Sequence, residues 1–363
     1  MNKNNYCVIM AGGVGARFWP MSKTTRPKQF IDILGVGKTL IQLTFDRFTS
    51  ICPPENILVV TNTIYKDLVL EQLPELDEKQ VLCEPSRRNT APCVAYANYK
   101  INEENPNAIV IVAPSDHIIL KEDEFVKNIK TAMQAAKENN WLLTLGIKPS
   151  RPDTGYGYIQ FIEENAYSED VPLYKVKTFT EKPSLDIAKS FLASGDFLWN
   201  SGIFIWSLKS IMVAFTELLD EVDSLFEKGI GKYNTKEEES FISNTYAVCK
   251  NISVDYGIME KAKNVYTLAV DFGWSDLGTW GSLYTIRKKD ANKNAVVGKN
   301  LMLYNTHNCI VNVPNNKLVV LQGLDDYIIV EDDNTLLVCR KQDEQQIRQF
   351  VADVKSEKGD RFV

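Results

Sequence analysis

Hydrophobic residues fall into short runs that alternate with amphipathic stretches along the first part of the chain. Three such runs occupy residues 6–11, 57–61 and 109–113, with the sequences YCVIMA, ILVVT and IVIVA. Runs of this length are typical of strands that are buried on both faces of a parallel sheet. Between residues 122 and 138, apolar positions instead recur at helical spacing. This alternation predicts a doubly wound α/β domain whose ligand site lies at the carboxyl ends of the strands.

The pattern changes near residue 286, after which short β-rich pieces are separated by turn residues. These pieces are residues 308–313, 317–322, 327–331 and 335–339. In the last stretch, 341–356, apolar side chains fall on one helical face, namely Ile347, Phe350, Val351 and Val354. We therefore predict a catalytic-type domain over 1–285 and a small β-rich domain over 286–363, with a terminal helix packed on the small domain or on a partner subunit.

Composition and charge narrow the class of protein. The 363 residues include 44% hydrophobic ones, enough for a large core. The net charge of −6 argues against a nucleic-acid surface, which needs clustered Lys and Arg. The seven cysteines form no C-x-x-C pair, and no apolar stretch approaches the roughly 20 residues that span a bilayer. We expect a cytosolic protein with reduced thiols and no membrane partner.

A glycine-rich segment follows the first predicted strand and is the strongest local signal for ligand binding. It runs from Ala11 through Gly12, Gly13, Gly15 and Arg17 to Lys28. Closely spaced glycines let backbone N–H groups approach phosphate oxygens, and the two cations can neutralise a polyphosphate. The alternative is a surface turn with two solvated cations.

Two common phosphate loops do not fit this region. The dinucleotide fingerprint G-x-G-x-x-G starts at Gly13, but its third glycine position is Phe18. Gly37-Lys38-Thr39 resembles the end of a Walker A loop, yet Asp32 replaces the required earlier glycine. Residues 35–39 are therefore predicted to be a turn and a helix start.

Two carboxylates are candidates for binding Mg²⁺. Asp116, which follows Ser115, lies just after the 109–113 run, and Asp276 lies in the aromatic loop 274–280. Mg²⁺ bound to a triphosphate needs only one or two protein carboxylates, because substrate oxygens and water complete its octahedron. The alternatives are a helix N-cap for Asp116 and a packed turn for Asp276.

Three further segments carry amides, carboxylates and glycines of the kind that hold a sugar phosphate. They are residues 154–158, 179–183 and 199–204. Carboxylates and amides bind sugar hydroxyls, and a lysine beside a carboxylate can bind the phosphate as a point charge. Each segment alone is equally compatible with a surface turn.

Taken together, these segments resemble the sugar-1-phosphate nucleotidyltransferase family and, within it, the mannose-1-phosphate guanylyltransferases. The resemblance covers roughly residues 6–285, and Glu84 to Pro92 is similar to the segment that this family uses near guanine. It implies a Rossmann-like mixed sheet followed by a short left-handed β-helix. It also implies that a guanylyl group is transferred from GTP to mannose 1-phosphate, which gives GDP-mannose and diphosphate. It implies Mg²⁺ as the cofactor, and we expect a homodimer.

The resemblance also implies roles for individual residues. Catalytic roles fall to Arg17, Lys28, Asp116 and Asp276, of which the two aspartates carry the metal. Nucleotide-binding roles fall to Ala11, Gly12, Gly13, Gly15, Arg17, Lys28, Glu84, Pro85, Asn89, Thr90, Ser115 and Asp116. Sugar-phosphate-binding roles fall to Gly155, Tyr156, Gly157, Glu181, Lys182 and Asn200, with residues 253–261 supporting the sugar pocket from behind.

The sequence is also compatible with other functions. GTP could be joined to another sugar 1-phosphate, such as fucose or heptose 1-phosphate, because a few pocket contacts decide the sugar. A catalytically silent sugar-nucleotide sensor is a different class, although the retained Arg17, Lys28 and Asp116 argue against it. Many bacterial relatives continue into a phosphomannose isomerase domain, whereas this chain ends at Val363, so we expect no isomerase activity.

Overall fold

The computed structural model describes residues 2–168 and 170–363, which form two compact units built from several chain segments each. The larger unit contains the residues up to Gly12 together with Thr44–Ser115 and Ile119–Trp274. The smaller unit contains Gly13–Leu43, Asp116–Ile118 and Ser275–Val363. Among the described residues, none of the helices is both long and apolar enough to cross a membrane.

The α-helices and strands are numbered in chain order. The strands are β1 Asn5–Met10, β2 Ile57–Asn62, β3 Val81–Glu84, β4 Ile109–Pro114, β5 Ile118–Ile119, β6 Leu142–Ile147, β7 Gly157–Asn165, β8 Leu173–Glu181, β9 Phe197–Ser207, β10 Val265–Val270, β11 Trp274–Ser275, β12 Ala295–Val297, β13 Leu301–Tyr304, β14 Ile310–Asn312, β15 Val319–Gln322, β16 Tyr327–Asp332 and β17 Thr335–Arg340. The helices are α1 Leu40–Thr49, α2 Lys66–Gln72, α3 Thr90–Glu104, α4 Glu122–Glu138, α5 Leu185–Ser194, α6 Leu208–Leu218, α7 Asp220–Glu227, α8 Glu238–Val248, α9 Trp280–Ile286 and α10 Ile347–Lys358.

One mixed sheet organises the larger unit, with the strand order β3-β2-β1-β4-β9-β6-β10-β8-β7. Strands β1 to β4 are parallel to their neighbours among themselves, and so are β6 and β10. Strand β9 runs antiparallel to both β4 and β6. The three predicted apolar runs are β1, β2 and β4, and their central residues are buried. The predicted mixed α/β sheet is therefore confirmed.

The amphipathic pattern at 122–138 forms α4, with the predicted limits. Its first turn carries Glu122, Asp123 and Glu124, whose charges complement the positive end of the helix dipole. Its apolar stripe, which includes Phe125, Ile129 and Met133, is buried. Burial of this stripe fixes the helix against the sheet.

Short parallel strands organise the β-rich part of the smaller unit. Strands β12, β14 and β16 pair in parallel register, and β13 pairs in parallel with β15. Parallel in-register stacking of such short strands is typical of a β-helix, and β17 closes the larger of these sheets as an antiparallel edge. The left-handed winding stays a prediction.

The smaller unit joins an early segment of the chain to the end of the chain. Phe18, Trp19 and Ile31 share one buried apolar cluster with Trp280 and Ile347. Phe350, Val351 and Val354 pack against this cluster, so the terminal helix packs on its own unit, the first of the two predicted alternatives. The helix begins later than predicted, because residues 341–346 form a short 3-10 helix. The predicted limits 1–285 and 286–363 stay a prediction.

The predicted turn at residues 35–39 is confirmed. The Asp32 carboxylate accepts hydrogen bonds from the backbone N–H groups of Gly35, Val36 and Gly37. Helix α1 begins directly afterwards at Leu40. The segment is thus a carboxylate-capped turn, in which Asp32 takes the position of the Walker A glycine.

Candidate active site

The glycine-rich loop folds back on itself within the smaller unit. Gly15 has a φ of 69°, and a Cβ atom there would lie 2.5 Å from the Cβ of Lys28. Both the left-handed backbone and the close approach require glycine. The Lys28 N–H donates to the carbonyl of Val14 at 3.1 Å, and the Gln29 amide donates to the carbonyl of Gly13 at 2.9 Å. These bonds hold Lys28 beside the glycines.

Lys28 brings the two candidate metal ligands to one place. Lys28 is only 3% exposed, and its Nζ lies 2.9 Å from Asp116 Oδ2. The same ammonium donates a 2.7 Å hydrogen bond to the backbone carbonyl of Asp276. Burial opposes ionisation of Asp116, but the charges of Lys28 and His117 outweigh it and lower the pKa of this carboxyl. Asp116 is therefore held as a carboxylate.

The carboxylate of Asp276 is oriented by its own loop. Its Oδ1 accepts a 3.0 Å hydrogen bond from the N–H of Gly278. Leu277, between them, adopts a φ of 47° and is fully buried. The loop therefore fixes the backbone that follows Asp276 and helps to orient its carboxylate.

Arg17 lies in a short 3-10 helix, Ala16–Phe18, directly after Gly15. The next residues anchor this helix: the Phe18 ring packs on Trp280 at 5.0 Å, and Trp19 Nε1 donates to the Phe362 carbonyl at 2.7 Å. Residues near the end of the chain thus hold the backbone that carries Arg17.

In the larger unit, Glu84 is the last residue of β3, and its carboxylate is buried next to Gly12. Tyr246 donates its hydroxyl to Glu84 Oε1 at 2.8 Å, while Oε2 lies 3.6 Å from the position that a Cβ on Gly12 would take. Burial raises the pKa of Glu84 to about 7, although the Tyr246 bond and the Arg87 charge act in the opposite direction. This carboxyl therefore titrates near neutral pH.

The backbone after Glu84 is fixed by the segment that begins near residue 252. Asn89 has a φ of 68°, and its side chain accepts from the N–H of Thr90. The Thr90 hydroxyl in turn accepts from the N–H of Val254 at 2.9 Å. Arg88 Nε donates to the carbonyl of Tyr246 at 3.0 Å. These bonds tie the segment to α8 and to the chain that follows it.

Asn200 is locked in one orientation in the same unit. Its Nδ2 donates to Asp255 Oδ1 at 2.8 Å, and its Oδ1 accepts from the Thr144 hydroxyl at 3.0 Å and from the Gly202 N–H at 3.1 Å. Burial raises the pKa of Asp255 to about 6, against the effect of the Asn200 bond. Asp255 opens a π-helical turn, Asp255–Met259, a distortion that is frequent at functional sites.

Glu181 lies beside Asn200. A Cβ on Gly157 would lie 2.5 Å from Glu181 Oε2 and 3.5 Å from the Cβ of Asn200. Lys182, with a φ of 46°, is paired with the Glu181 carboxylate. The structure therefore gathers a carboxylate, an amide and an ammonium group around Gly157, where a Cβ atom would displace the Glu181 carboxylate.

Aromatic rings form the wall beside this cluster. The Tyr156 ring contacts Trp199 at 5.0 Å and Trp274 at 5.2 Å, both edge to face. Arg151 lies over the rings of Tyr156 and Trp199 and pairs with Asp153 at 2.7 Å. Asp153 also accepts from the N–H of Gly155 at 2.8 Å. In the predicted segment 154–158, Thr154 and Gly155 are exposed, whereas Tyr156 is buried among these rings.

Comparisons with known proteins identify the family. A family model described as Nucleotidyl transferase matches residues 6–293, well over half of the chain. The chain belongs to the nucleotidyl transferase family. A second model, described as a MannoseP isomerase/GMP-like beta-helix domain, matches residues 299–354 of this nucleotidyltransferase.

Named relatives are similar over nearly the whole nucleotidyltransferase. The mannose-1-phosphate guanylyltransferase of Salmonella montevideo is 35% identical over 360 residues, which cover 96% of this chain and 74% of the relative. The alginate biosynthesis protein AlgA of Pseudomonas aeruginosa is 33% identical over 358 residues, covering 96% and 72%. A crystal structure described as mannose-1-phosphate geranyltransferase from Thermus thermophilus has a TM-score of 0.86 and 27% identity, covering 97% of this chain and 99% of that one.

The residues predicted from the sequence are divided between the two units of the nucleotidyltransferase. The smaller unit contains Gly13, Gly15, Arg17, Lys28, Asp116 and Asp276. The larger unit contains Ala11, Gly12, Glu84, Pro85, Asn89, Thr90, Ser115, Gly155, Tyr156, Gly157, Glu181, Lys182 and Asn200. The N-cap alternative for Asp116 is wrong, because Asp116 lies in a turn and α4 begins only at Glu122.

Sequence reasoning missed several supporting residues. Tyr246, which holds Glu84, is 162 residues away from it, and Thr144 is 56 residues away from Asn200. Arg151 and Asp153, which hold the 154–158 loop, also carry no motif of their own. Nothing in the local sequence marks such partners, since only the fold brings them to the predicted residues.

The donor set around Lys28 fits Mg²⁺. Both candidate ligands, Asp116 and Asp276, offer carboxylate oxygens, the donors that this hard cation prefers. Among the described residues there is no group of three or more His, Cys, Asp and Glu side chains that could hold a metal. A cation at the two aspartates would therefore take its remaining oxygens from substrate phosphates and water.

Proposed function

We propose that this nucleotidyltransferase transfers a guanylyl group from GTP to α-D-mannose 1-phosphate and releases GDP-mannose and diphosphate. The observation that carries the proposal is the buried Lys28, whose ammonium contacts Asp116 and Asp276 beside the glycine-rich loop. Relatives named mannose-1-phosphate guanylyltransferase, at about one-third identity over nearly the whole chain, support the choice of substrates.

The proposed reaction is a direct in-line displacement. A phosphate oxygen of mannose 1-phosphate attacks the α-phosphorus of GTP and forms the new P–O bond, while the bond from that phosphorus to the β-phosphate oxygen breaks. The attacking oxygen is already anionic, so no general base is needed. Catalysis then depends on positioning and on neutralisation of the phosphate charges.

Lys28 and Arg17 supply fixed positive charge for the triphosphate and the leaving diphosphate. The ammonium of Lys28 is buried, so its field is weakly screened and its position costs little reorganisation. Mg²⁺ bound by Asp116 and Asp276 would neutralise phosphate oxygens in addition. The Gly278 bond keeps the Asp276 carboxylate oriented for that role.

Glu84 is the proposed acceptor for guanine. Guanine offers donors at N1 and N2, which an ionised carboxylate accepts. Adenine presents an acceptor at N1, and the unpaired group would cost about 1–3 kcal/mol. Because Tyr246 already occupies one oxygen of Glu84, its bond also orients the other oxygen.

Asn200 and Glu181 are the proposed partners of the sugar hydroxyls. The three hydrogen bonds on Asn200 fix which way its amide faces, so its remaining donor has one direction. Lys182, paired with Glu181, is the proposed contact of the sugar phosphate. A rigid amide beside a carboxylate favours one pattern of hydroxyl groups over its epimers.

We also propose a cytosolic homodimer. All seven cysteines are free thiols, which supports a reducing compartment. Apolar side chains on the short strands of the smaller unit are exposed, among them Met302, Tyr304 and Val320, and they offer a surface for a second copy. Light scattering of the purified chain would give the mass: twice that of the chain supports the dimer, and the single mass contradicts it.

A substrate grid tests the proposed reaction. Diphosphate release is measured with Mg²⁺ for GTP, ATP, UTP and dTTP, each with mannose, glucose, fucose or heptose 1-phosphate. Fast release confined to GTP with mannose 1-phosphate supports the proposal. Fast diphosphate release with another sugar 1-phosphate would show that this sugar is the substrate instead of mannose. Tight GDP-mannose binding without any diphosphate release would favour a sensor.

A further inference from the structure

A cavity of about 570 Å³ lies in the larger unit, between β3, α3 and α8. Its apolar lining includes Val81, Tyr96 and Ile242, which are at most 6% exposed, together with Cys83 and Pro85. A volume of this size is typical of sites for small molecules. Of the residues predicted to bind the nucleotide or the sugar phosphate, Pro85 lines it and the others do not.

Positive charge is left over at the cavity once its ion pairs are counted. Lys100 is neutralised by Glu238, which it contacts at 2.6 Å, and Lys66 pairs with Glu78 at 2.7 Å. Among the described residues, Lys79 and Lys236 have no ion pair, and both line the cavity. Within the same part of the chain, Glu239 is the one lining carboxylate that forms no ion pair. In the described part of the chain, the cavity therefore combines an apolar surface with two ammonium groups and one carboxylate that form no ion pair, so positive charge is in excess.

Two walls of this cavity lead to Glu84. On β3, Val81 and Cys83 line the cavity, and Glu84 is the next residue, so its side chain leaves the opposite face of the strand. On α8, Ile242 and Ser243 line the cavity, and Tyr246 follows one turn later. Tyr246 binds Glu84 through its hydroxyl and Arg88 through its carbonyl. A shift of α8 would therefore reach both residues.

We propose that this cavity binds a small organic anion with an apolar body and a carboxylate or phosphate group, and that its occupancy changes the affinity for the nucleotide. The apolar body contacts Val81, Tyr96 and Ile242, and the anionic group pairs with Lys79 and Lys236. The ammonium of Lys100 is already satisfied by Glu238, so it contributes no free charge. The effect on nucleotide affinity, unlike the binding itself, rests on the proposed function.

Matched variants on one helix separate this cavity from every other surface. Ser243 is exposed and lines the cavity, so Ser243→Phe places a ring at the cavity. Ser240 lies on the same helix and is also exposed but does not line the cavity, so Ser240→Phe makes the same chemical change elsewhere. A Lys79→Glu, Lys236→Glu double variant changes only exposed positions and tests the charges without filling the cavity.

Ligand-observed NMR on the full chain measures the binding. The probes are benzoate, phenyl phosphate and the neutral benzyl alcohol, with GDP-mannose in excess to occupy the proposed substrate site. We expect at least one anion to bind the wild type and Ser240→Phe about tenfold more tightly than it binds Ser243→Phe or the double lysine variant, and benzyl alcohol to bind about tenfold more weakly. Which anion binds distinguishes a carboxylate ligand from a phosphate ligand. Absence of anion binding, or anion binding to Ser243→Phe and to the double variant that is as tight as binding to the wild type, overturns the proposal.

Turnover measures the coupling. The anion that binds is expected to change the KM for GTP by about twofold or more in the wild type and in Ser240→Phe, but not in Ser243→Phe. An unchanged KM despite binding overturns the coupling. If the wild-type protein releases no diphosphate even without an added anion, the proposed function is contradicted. The binding measured by NMR would still hold in that case.

Discussion

Lys28→Met removes the ammonium group from the smaller unit and keeps an unbranched side chain of similar length. The ammonium contacts Asp116 Oδ2 at 2.9 Å and the Asp276 carbonyl at 2.7 Å, and the residue is 3% exposed. A hydrogen bond to a charged group contributes about 1.5–3 kcal/mol, and loss of one partner of a buried pair costs about 3–5 kcal/mol. Because the Asp116 side chain is 32% exposed, water replaces part of the lost interaction. We therefore expect the free energy of unfolding to fall by about 2–3 kcal/mol.

Urea unfolding of Lys28→Met, Asp116→Asn and the double variant isolates this pair. The expected coupling energy is about 1–3 kcal/mol, within the range of about 0.5–3 kcal/mol that residues in direct contact show. Lys121→Met is the matched control, because Lys121 pairs with Asp271 at 3.2 Å on the surface and is 54% exposed. An exposed pair contributes about 0–1 kcal/mol. A coupling energy below about 0.5 kcal/mol, or equal destabilisation by Lys121→Met, would refute the reasoning.

Three further predictions concern the proposed chemistry. Asp276→Asn keeps an oxygen that accepts the hydrogen bond from Gly278 but loses the carboxylate charge. The rate of diphosphate release should therefore fall by about a thousandfold, with an unchanged circular dichroism spectrum. A rate near that of the wild type would contradict the metal role of Asp276. Since the pKa of Glu84 is about 7, its carboxylate forms as the pH rises, and the KM for GTP should fall between about pH 6 and 8 in the wild type but stay flat in Glu84→Gln. An equal pH dependence in both proteins would rule Glu84 out as the titrating group. In Gly157→Ala the new Cβ meets Glu181 Oε2 at 2.5 Å, so the KM for mannose 1-phosphate should rise about tenfold while that for GTP does not change; equal changes in both would point to a general loss of structure.

Much of the fold could be predicted from local sequence patterns. The apolar runs predict β1, β2 and β4 because strands buried on both faces need continuous hydrophobic sequence. The apolar pattern at residues 122–138 predicts both ends of α4, because an amphipathic stripe of that length fits only a helix. The terminal helix is less well predicted, because residues 341–346 fit either helical form.

The partners of the candidate site could not be predicted. Glu84 is recognisable from its motif, but its pKa is raised by burial, and its hydrogen-bond partner Tyr246 belongs to a distant helix. The packing of Phe18 and Trp19 against Trp280 and Ile347 likewise joins opposite ends of the chain. Local patterns carry no record of such long-range contacts, because hydrophobic packing is not directional.

The origin of the oxygens in the products tests the central claim most directly. Mannose 1-phosphate that carries a heavy-oxygen label in its phosphate is incubated with GTP, Mg²⁺ and the protein, and the products are followed by phosphorus NMR. Direct attack on the α-phosphorus predicts that all of the label remains in GDP-mannose, including the oxygen that bridges its two phosphorus atoms, and that the diphosphate is unlabelled. Label in the diphosphate, or GDP-mannose with an unlabelled bridging oxygen, would contradict the account.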